Sequence, residues 1–314
     1  MGMYREMEGL PGIRLVGACE EDPATREAVR QAGIPVDYTE EETMLDEVRP
    51  DVVAVGDYYG IRGRRILTAL RHGCHTVADK PLCTSLTELD AMEAAAKAQN
   101  RRIGCLLTLR ELPWVEPLRA LIRSGGLGEI HAVNFTGQHP LLWGSRPGWY
   151  FEPGKHGGTI NDLAIHGIDL VTWLTGLSFR RVTAARCYHA FAGGAPDFRD
   201  CAQFMYELEN GCGVTGDTSY AAPDGCGYGI PQYWRFTLWG DKGVAEADAC
   251  DAAYTVALRN TAGTRRIECP AKPGQTLLAG FFAGLTGEAV SPDTDEVIGA
   301  ARIALLLQQA ADRA

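Results

Sequence analysis

Residues 157–169, Gly-Gly-Thr-Ile-Asn-Asp-Leu-Ala-Ile-His-Gly-Ile-Asp, set Asp162, His166 and Asp169 four and three positions apart. Side chains at that spacing share one face of a helix, and the apolar residues between them would bury it. An imidazole titrates near neutrality, at about 6.5 when unperturbed. Placed beside carboxylates, it can take a proton from a hydroxyl as a general base, a step typically worth roughly 10²–10⁴ in rate. Two other readings stay open: a buried polar network, and a set of ligands for a divalent ion. No further ligand cluster accompanies the stripe, so a metal ranks last.

Two more positions could do chemistry. Lys80, in "ADKPL", stands where an apolar run ends, and Pro81 blocks further ladder pairing there. A lysine at a strand end facing a cleft can hold a hydroxyl and stabilise developing negative charge. The alternative is a surface lysine at a turn. Glu20 ends the run "IRLVGAC". An acid at the second strand end of a dinucleotide-binding fold accepts hydrogen bonds from ribose hydroxyls. The same acids also suit a helix N-terminus. With Glu21 and Asp22 beside it, a 2′-phosphate would be repelled, which favours NAD over NADP.

The elements that must hold these residues read as an α/β chain. Short β-rich runs at 13–19, 51–57, 75–80 and 102–107 alternate with helical stretches, predicting a parallel sheet with helical crossovers. A helix follows, "PWVEPLRALIRSGG". Longer alternating runs then occur at 130–139, 180–191, 201–220 and 233–248, with hairpin signals at "ENG" and "GDKG". They predict a mostly antiparallel sheet, interrupted by the Asp162–His166 helix and closed by a last helix, "DEVIGAARIALLLQQAADR". The expected division is a dinucleotide-binding domain over 1–109 and a substrate, catalytic and oligomerisation domain over 110–314. The site should lie between them, outside the ends of the parallel strands.

Composition narrows the partners. The chain has 314 residues and a net charge of -10, with no Lys/Arg-rich run. Nucleic-acid and membrane-surface roles need a basic footprint and are not expected. No apolar run is long enough to span a bilayer, and the start lacks the order of a signal peptide. Ten cysteines are scattered with no C-x-x-C pair, the pattern of reduced thiols in a cytoplasmic protein. One face of the antiparallel sheet needs a cover, so a homo-oligomer built through it is expected.

The acidic strand end at Glu20, "DKP" at 79–81 and "GGTINDLAIHGID", in that order, resemble the glucose–fructose oxidoreductase / inositol dehydrogenase / MocA (Gfo/Idh/MocA) family. "GGLGEI" (125–130), Arg110 with Pro113, and "WGDKG" (239–243) are similar to it as well. The resemblance covers nearly the whole chain. It implies a Rossmann-like domain followed by an α+β domain, and an NAD-dependent oxidation of a secondary hydroxyl on a sugar, cyclitol or glycoside. Lys80 would orient the alcohol and His166 would take its proton. Asp162 would hold a second hydroxyl or orient the base. Asp169 would anchor the helix. Arg110, Trp149, Tyr150, Lys155, His156 and Tyr233 would line the substrate site. Glu20, Asp57, Tyr58 and Lys80 would meet the cofactor, with Gly2 as the last glycine of its phosphate loop.

The family opens with a strand and a G-x-G-x-x-G turn, whereas this sequence begins in what reads as the following helix. The expectation is an N-terminally truncated reading frame. "VGDYYGIR" (55–62) replaces a Thr-Pro-x-x-x-His turn with Asp57, Tyr58, Tyr59 and Arg62, and "YAAPDGCGYGIPQYW" (220–234) could cover a sugar. Two alternatives share these residues: glycoside cleavage by transient oxidation and elimination, and a non-catalytic sugar- or partner-binding descendant without its cofactor.

Overall fold

The computed structural model describes residues 2–270, 276–289 and 291–314. Strands β1 (Val52–Val55), β2 (His75–Ala78) and β3 (Ile103–Cys105) form a parallel sheet in that order. Val53 pairs with Thr76 and Val77 with Gly104. Helices α1 (Gly2–Glu8), α2 (Pro23–Gln31), α3 (Glu41–Val48), α4 (Tyr59–Arg71) and α5 (Leu86–Gln99) surround and connect these strands. The starts of α2 and α5 follow from capping residues. Asp22 accepts from Thr25 N at 2.7 Å ahead of Pro23, and Ser85 accepts from Glu88 N at 3.1 Å.

The run at 13–19 is not a strand. It makes one parallel bridge, Cys19 to Tyr38, and leaves Leu15 and Val16 36% and 46% exposed. A strand is held by ladder bonds on its flanks. Here a groove of about 580 Å³, lined by Gly12–Glu21 on one side and Val52–Ala54 on the other, takes the place of a neighbour. Tyr4 of α1 reaches across to donate to the Ala54 carbonyl at 3.2 Å.

The second sheet has the order β11-β10-β9-β8-β4-β7-β6-β5. Its strands are β4 (Ile130–Pro140), β5 (Phe179–Tyr188), β6 (Cys201–Leu208), β7 (Gly213–Ala222), β8 (Arg235–Gly240), β9 (Gly243–Asp248), β10 (Ala253–Leu258) and β11 (Arg265–Glu268). Neighbours are antiparallel except β4 and β7. The hairpins fall at Glu209–Cys212 and Asp241–Lys242, where "ENG" and "GDKG" predict them. Strands β10 and β11 were not expected from the alternation.

Helices α6 (Val115–Arg123), α7 (Ile165–Thr175) and α9 (Thr294–Asp312) pack on this sheet and on one another. Close approach of α7 depends on Gly167, where a Cβ would lie 2.4 Å from the Phe135 ring of β4. The opposite face is polar: Asn134 bonds Thr215 at 2.5 Å, and Gln138 and Gln203 both reach Asp217 at 2.7 Å.

The C-terminal segment returns to the first sheet. Helix α8 (Leu277–Leu285) packs Leu278 and Phe281 with Met7 and Val77. Helix α9 starts at a capping box of Asp293 and Glu296, takes Ile103 N on Thr294 Oγ1 at 3.0 Å, and pairs Arg302 with Asp90 and Glu93 of α5. All ten cysteines are free thiols. Among the described residues no helix is long and apolar enough to cross a membrane.

Candidate active site

Lys80 follows β2, with its backbone N–H held by Asp79 Oδ1 at 2.8 Å. Its side chain crosses to the residues ahead of α7. Lys80 Nζ donates to Asp162 Oδ1 at 2.7 Å and to the Asp162 carbonyl at 2.9 Å. An ammonium has three donors, so one is left for a ligand. Two further bonds fix this crossing. Asn161 Nδ2 donates to the Cys83 carbonyl at 2.9 Å, and Gln308 of α9 accepts from Ile160 N at 3.0 Å.

Asp162 lies in a π-helical turn, Ile160–Ala164, that precedes α7. Such wide turns re-aim side chains and recur at functional sites. The Asp162 carboxylate is fully buried. Its Oδ2 accepts from the Tyr150 and Tyr220 hydroxyls and lies 3.2 Å from His156 Nε2. Gly158 N donates to His156 Nδ1 at 3.2 Å, which leaves Nε2 as the protonated nitrogen facing Asp162. Burial alone would raise the Asp162 carboxyl, but the Lys80 ammonium and His156 outweigh it and hold the group well below the usual range. Tyr150 and Tyr220 are pushed well above 10, by burial and then by the Asp162 charge, and so remain donors. Arg146 stacks over both rings, 4.6 and 5.3 Å from their centroids.

His166 opens α7, 7% exposed, with its ring edge-on to Trp234 at 5.8 Å. Burial, then the Lys80 charge, lowers it well below 6.5. The ring is therefore neutral at pH 7 and can accept a proton. Its Nδ1 is buried without a partner among the described residues.

Two expectations need correction. Asp162, His166 and Asp169 do not serve one stripe. Asp169 faces away and takes a bidentate grip from Arg110, at 2.8 and 2.6 Å. Arg110, expected as a substrate ligand, is spent inside the protein. Its remaining nitrogen reaches Ser291 at 2.5 Å and Glu296 at 3.1 Å, and its plane lies 5.0 Å from the Trp173 centroid. The π turn breaks the i, i+4 phase between Asp162 and α7, and within α7 His166 and Asp169 stand about 60° apart around the axis, enough for Arg110 to grip Asp169 alone.

The other expected site residues lie around this centre. Trp149 packs edge-on to Tyr59 at 5.0 Å and 6.1 Å from Tyr58. Lys155 pairs with Glu152 at 2.6 Å and sits 5.1 Å over Tyr58. The backbone before α7 docks on the start of α4: Gly60 N donates to the Lys155 carbonyl at 2.9 Å, and a Cβ on Gly60 would meet the Gly154 carbonyl at 2.4 Å. Tyr233 lies 4.8 Å from His139. Sequence reasoning missed Tyr220, Arg146 and His139. For His139 a signal existed, since it ends an alternating run as Lys80 does.

For a dinucleotide, the described residues fit the ribose ends. Glu20 lines the groove beside β1, its Oε1 accepting from Asp22 N at 2.9 Å. Asp57 follows β1 on the other side of that groove. Arg65 is shared among Glu21, Glu41 and Asp57 at 2.9, 3.1 and 3.5 Å, so this arginine is committed to carboxylates, while Arg14 and Arg49 line the same groove. Arg62 ties the strand-end loops together, donating to the Asp57, Asp79 and Pro81 carbonyls at 2.7–3.1 Å. Gly2 begins α1 with open space around its Cα. No three His, Cys, Asp or Glu groups are placed to hold a metal among the described residues.

Residues 4–106 match the oxidoreductase family with an NAD-binding Rossmann fold, and 115–246 match the GFO/IDH/MocA C-terminal domain. The chain belongs to the Gfo/Idh/MocA family. D-glucoside 3-dehydrogenase of Escherichia coli is 28% identical over 229 residues, 67% of this chain and 63% of that protein. Levoglucosan dehydrogenase of Pseudarthrobacter phenanthrenivorans is 26% identical over 169 residues, 52% of this chain and 43% of that protein. The chain thus spans 43–63% of these relatives' lengths. Levoglucosan dehydrogenase in complex with NADH and levoglucosan superposes at a TM-score of 0.80, with 21% identity over 99% of this chain and 92% of that one. An inositol dehydrogenase homolog from Azotobacter vinelandii, complexed with NAD+, gives 0.79 with 20% identity, over 99% and 92%. These neighbours share the fold.

Proposed function

We propose that this Gfo/Idh/MocA chain oxidises a secondary hydroxyl of a sugar, cyclitol or glycoside, with NAD as hydride acceptor. The observation that carries the reading is the meeting of Lys80 and Asp162 at 2.7 Å one turn from a buried, neutral His166. NAD, when bound, supplies the acceptor for the hydride. Glu20 and Asp57 would hold its riboses, with Tyr58 beside the same loop and Gly2 letting backbone approach the phosphates. The acidic rim favours NAD over NADP, since two like charges 4 Å apart repel by roughly 1–4 kcal/mol at effective dielectrics of 80 to 20.

The remaining steps belong to the chain. The free Lys80 donor binds the reacting hydroxyl and stabilises negative charge as its proton leaves. His166 accepts that proton. Asp162, with all its partners inside the protein, holds Lys80 in place, so this reading assigns it a positioning role. Tyr150, Tyr220 and His156 keep Asp162 ionised. Trp149 and Tyr233 offer aromatic surface to the sugar faces, and Lys155 reaches the same edge of the cleft. The names of the relatives support a carbohydrate substrate. We further propose a cytoplasmic enzyme whose open polar sheet face pairs with a second copy of the chain.

The test is a screen of sugars, cyclitols and glycosides with NAD, followed by absorbance of NADH. Accumulating NADH supports the reading. Release of aglycone with no net NADH would point to oxidation–elimination cleavage instead, and no nucleotide binding at all would leave only a binding protein.

A further inference from the structure

Arg146 lies on the loop that follows β4, with its guanidinium stacked over the rings of Tyr150 and Tyr220, 4.6 and 5.3 Å from their centroids. Those two hydroxyls serve Asp162 Oδ2, so Arg146 stands one aromatic layer from the carboxylate that holds Lys80. Burial, then the Lys80 charge and, behind it, that of Arg146, lower His139. Both cations therefore act on the same residue of the cleft. Proton and hydride transfer from a neutral sugar give Arg146 nothing to do.

A guanidinium carries five N–H donors in a rigid fork. Arg146 Nε donates to the Leu141 carbonyl at 2.8 Å and Nη2 to the Pro140 carbonyl at 3.0 Å. These two bonds use the side-on edge. The end-on edge, Nη1 with the second Nη2 proton, has no partner among the described residues. Nor does Arg146 form an ion pair among them, whereas Arg65, Lys80, Arg110 and Arg302 all do. Asp224, which touches the same loop, takes Leu142 N at 2.8 Å instead. Arg62, also near the site without a carboxylate, is closed by four bonds to main-chain carbonyls. Arg146 is half-buried, and charges taken out of water are normally paired. Stacking on phenol rings supports the cation through its face and leaves its N–H edge unanswered.

We propose that Arg146 is a substrate-binding residue that grips a carboxylate, and that the substrate of this site is a sugar acid, a hexuronate or its glycoside. The proposal rests on the oxidoreductase reading only for what happens to the reacting hydroxyl. The end-on fork matches the two oxygens of a carboxylate. The charges match as well. Lys80 and Asp162 pair and cancel, which leaves one positive charge for one negative. A monoanion fits that balance better than a phosphate monoester, which carries nearly two. A neutral sugar would leave the guanidinium half-buried and unpaired, and a polar group left without its partner is how a site rejects an analogue.

The experiment compares methyl β-D-glucopyranosiduronate with methyl β-D-glucopyranoside, which differ only in a carboxylate for a hydroxymethyl group. D-glucose 6-phosphate serves as the dianion. Binding to the full chain is read by calorimetry with NADH present, so that no turnover occurs, and again without nucleotide. NADH formation from NAD is read separately. The uronide is expected to bind at least tenfold tighter than the glucoside. Arg146→Gln should bring that ratio within threefold of one, and Arg146→Lys, which keeps the charge and loses the fork, should retain part of it. A mere brace for Tyr150 and Tyr220 would weaken both ligands alike and leave the ratio unmoved. A wild-type ratio below tenfold, a ratio that survives Arg146→Gln, tighter binding of glucose 6-phosphate than of the uronide, or no uronide binding at all would each overturn the proposal. Arg146-dependent uronide binding without NADH formation would sink the oxidoreductase reading and keep this one. NADH formation from glucoside and uronide alike would do the reverse. If Arg146→Gln does not fold, the wild-type ratio and Arg146→Lys still decide.

Discussion

Lys80 and Asp162 stand 82 positions apart, one at the end of a parallel strand and one ahead of α7, and their side chains meet at 2.7 Å. Asp162 is buried completely and Lys80 nearly so. Removing one partner of such a pair strands the other, typically at a cost of about 3–5 kcal/mol. Asp162→Asn is expected to lower stability by that order and turnover by roughly 10²-fold or more. Urea unfolding and kcat measured on the same preparation check both.

Tyr150→Phe and Tyr220→Phe each remove one donor to Asp162 Oδ2 and leave the other. Each should cost about 1 kcal/mol. The double variant should cost more than the sum, because in each single variant the remaining hydroxyl still serves Asp162 Oδ2, whereas the double variant leaves that oxygen with His156 alone. A double-mutant cycle in thermal unfolding reads the coupling. Strict additivity would mean that the two phenols do not act as a unit.

Arg110 gives a sharper separation of scaffold from site. Its guanidinium is committed to Asp169, Ser291 and Glu296. Arg110→Met should destabilise by several kcal/mol through the unpaired Asp169. The fraction that folds should keep its KM for substrate within about twofold. A large rise in KM with little loss of stability would return Arg110 to the substrate site.

His139 makes a prediction in pH. Burial, followed by the Lys80 charge, lowers its pKa to about 3, against about 6.5 in the unfolded chain. Between those values the unfolded state binds a proton that the folded state refuses. Stability therefore falls as pH drops from 6.5 toward 3. At pH 5 the loss from this one group is ~2 kcal/mol. His139→Gln should lose less stability than wild type between pH 7 and pH 5, measured by urea midpoints. An identical decline in both would show that His139 is not held neutral.

How far the sequence reveals this site depends on the kind of signal each residue leaves. Lys80, Asp162 and His166 sit in short local patterns, a strand end and a helix start, and local patterns survive into the fold. Tyr150 and His156 followed from lying just before that helix. Tyr220 occupies an ordinary position in an alternating strand, and His139 is marked only by ending one. Alternation tells which face a residue takes, but not which strand end abuts the cleft, since that is set by the order β8-β4-β7-β6. The run 13–19 has strand composition, yet only one bridge forms, because pairing needs a neighbour that composition cannot supply. Asp169 shows a related gap. Helical spacing alone groups it with His166, and only a long-range arginine, Arg110, shows that it anchors the helix instead.

The central claim is that His166 takes the proton of the reacting hydroxyl. Its most direct measurement is NADH formation by wild type and His166→Asn on the best polyol of the screen, beside a fluorescence titration of NAD with both. The account predicts at least a 10²-fold fall in kcat for the variant, with nucleotide affinity unchanged within threefold. Turnover by His166→Asn at the wild-type rate would contradict it.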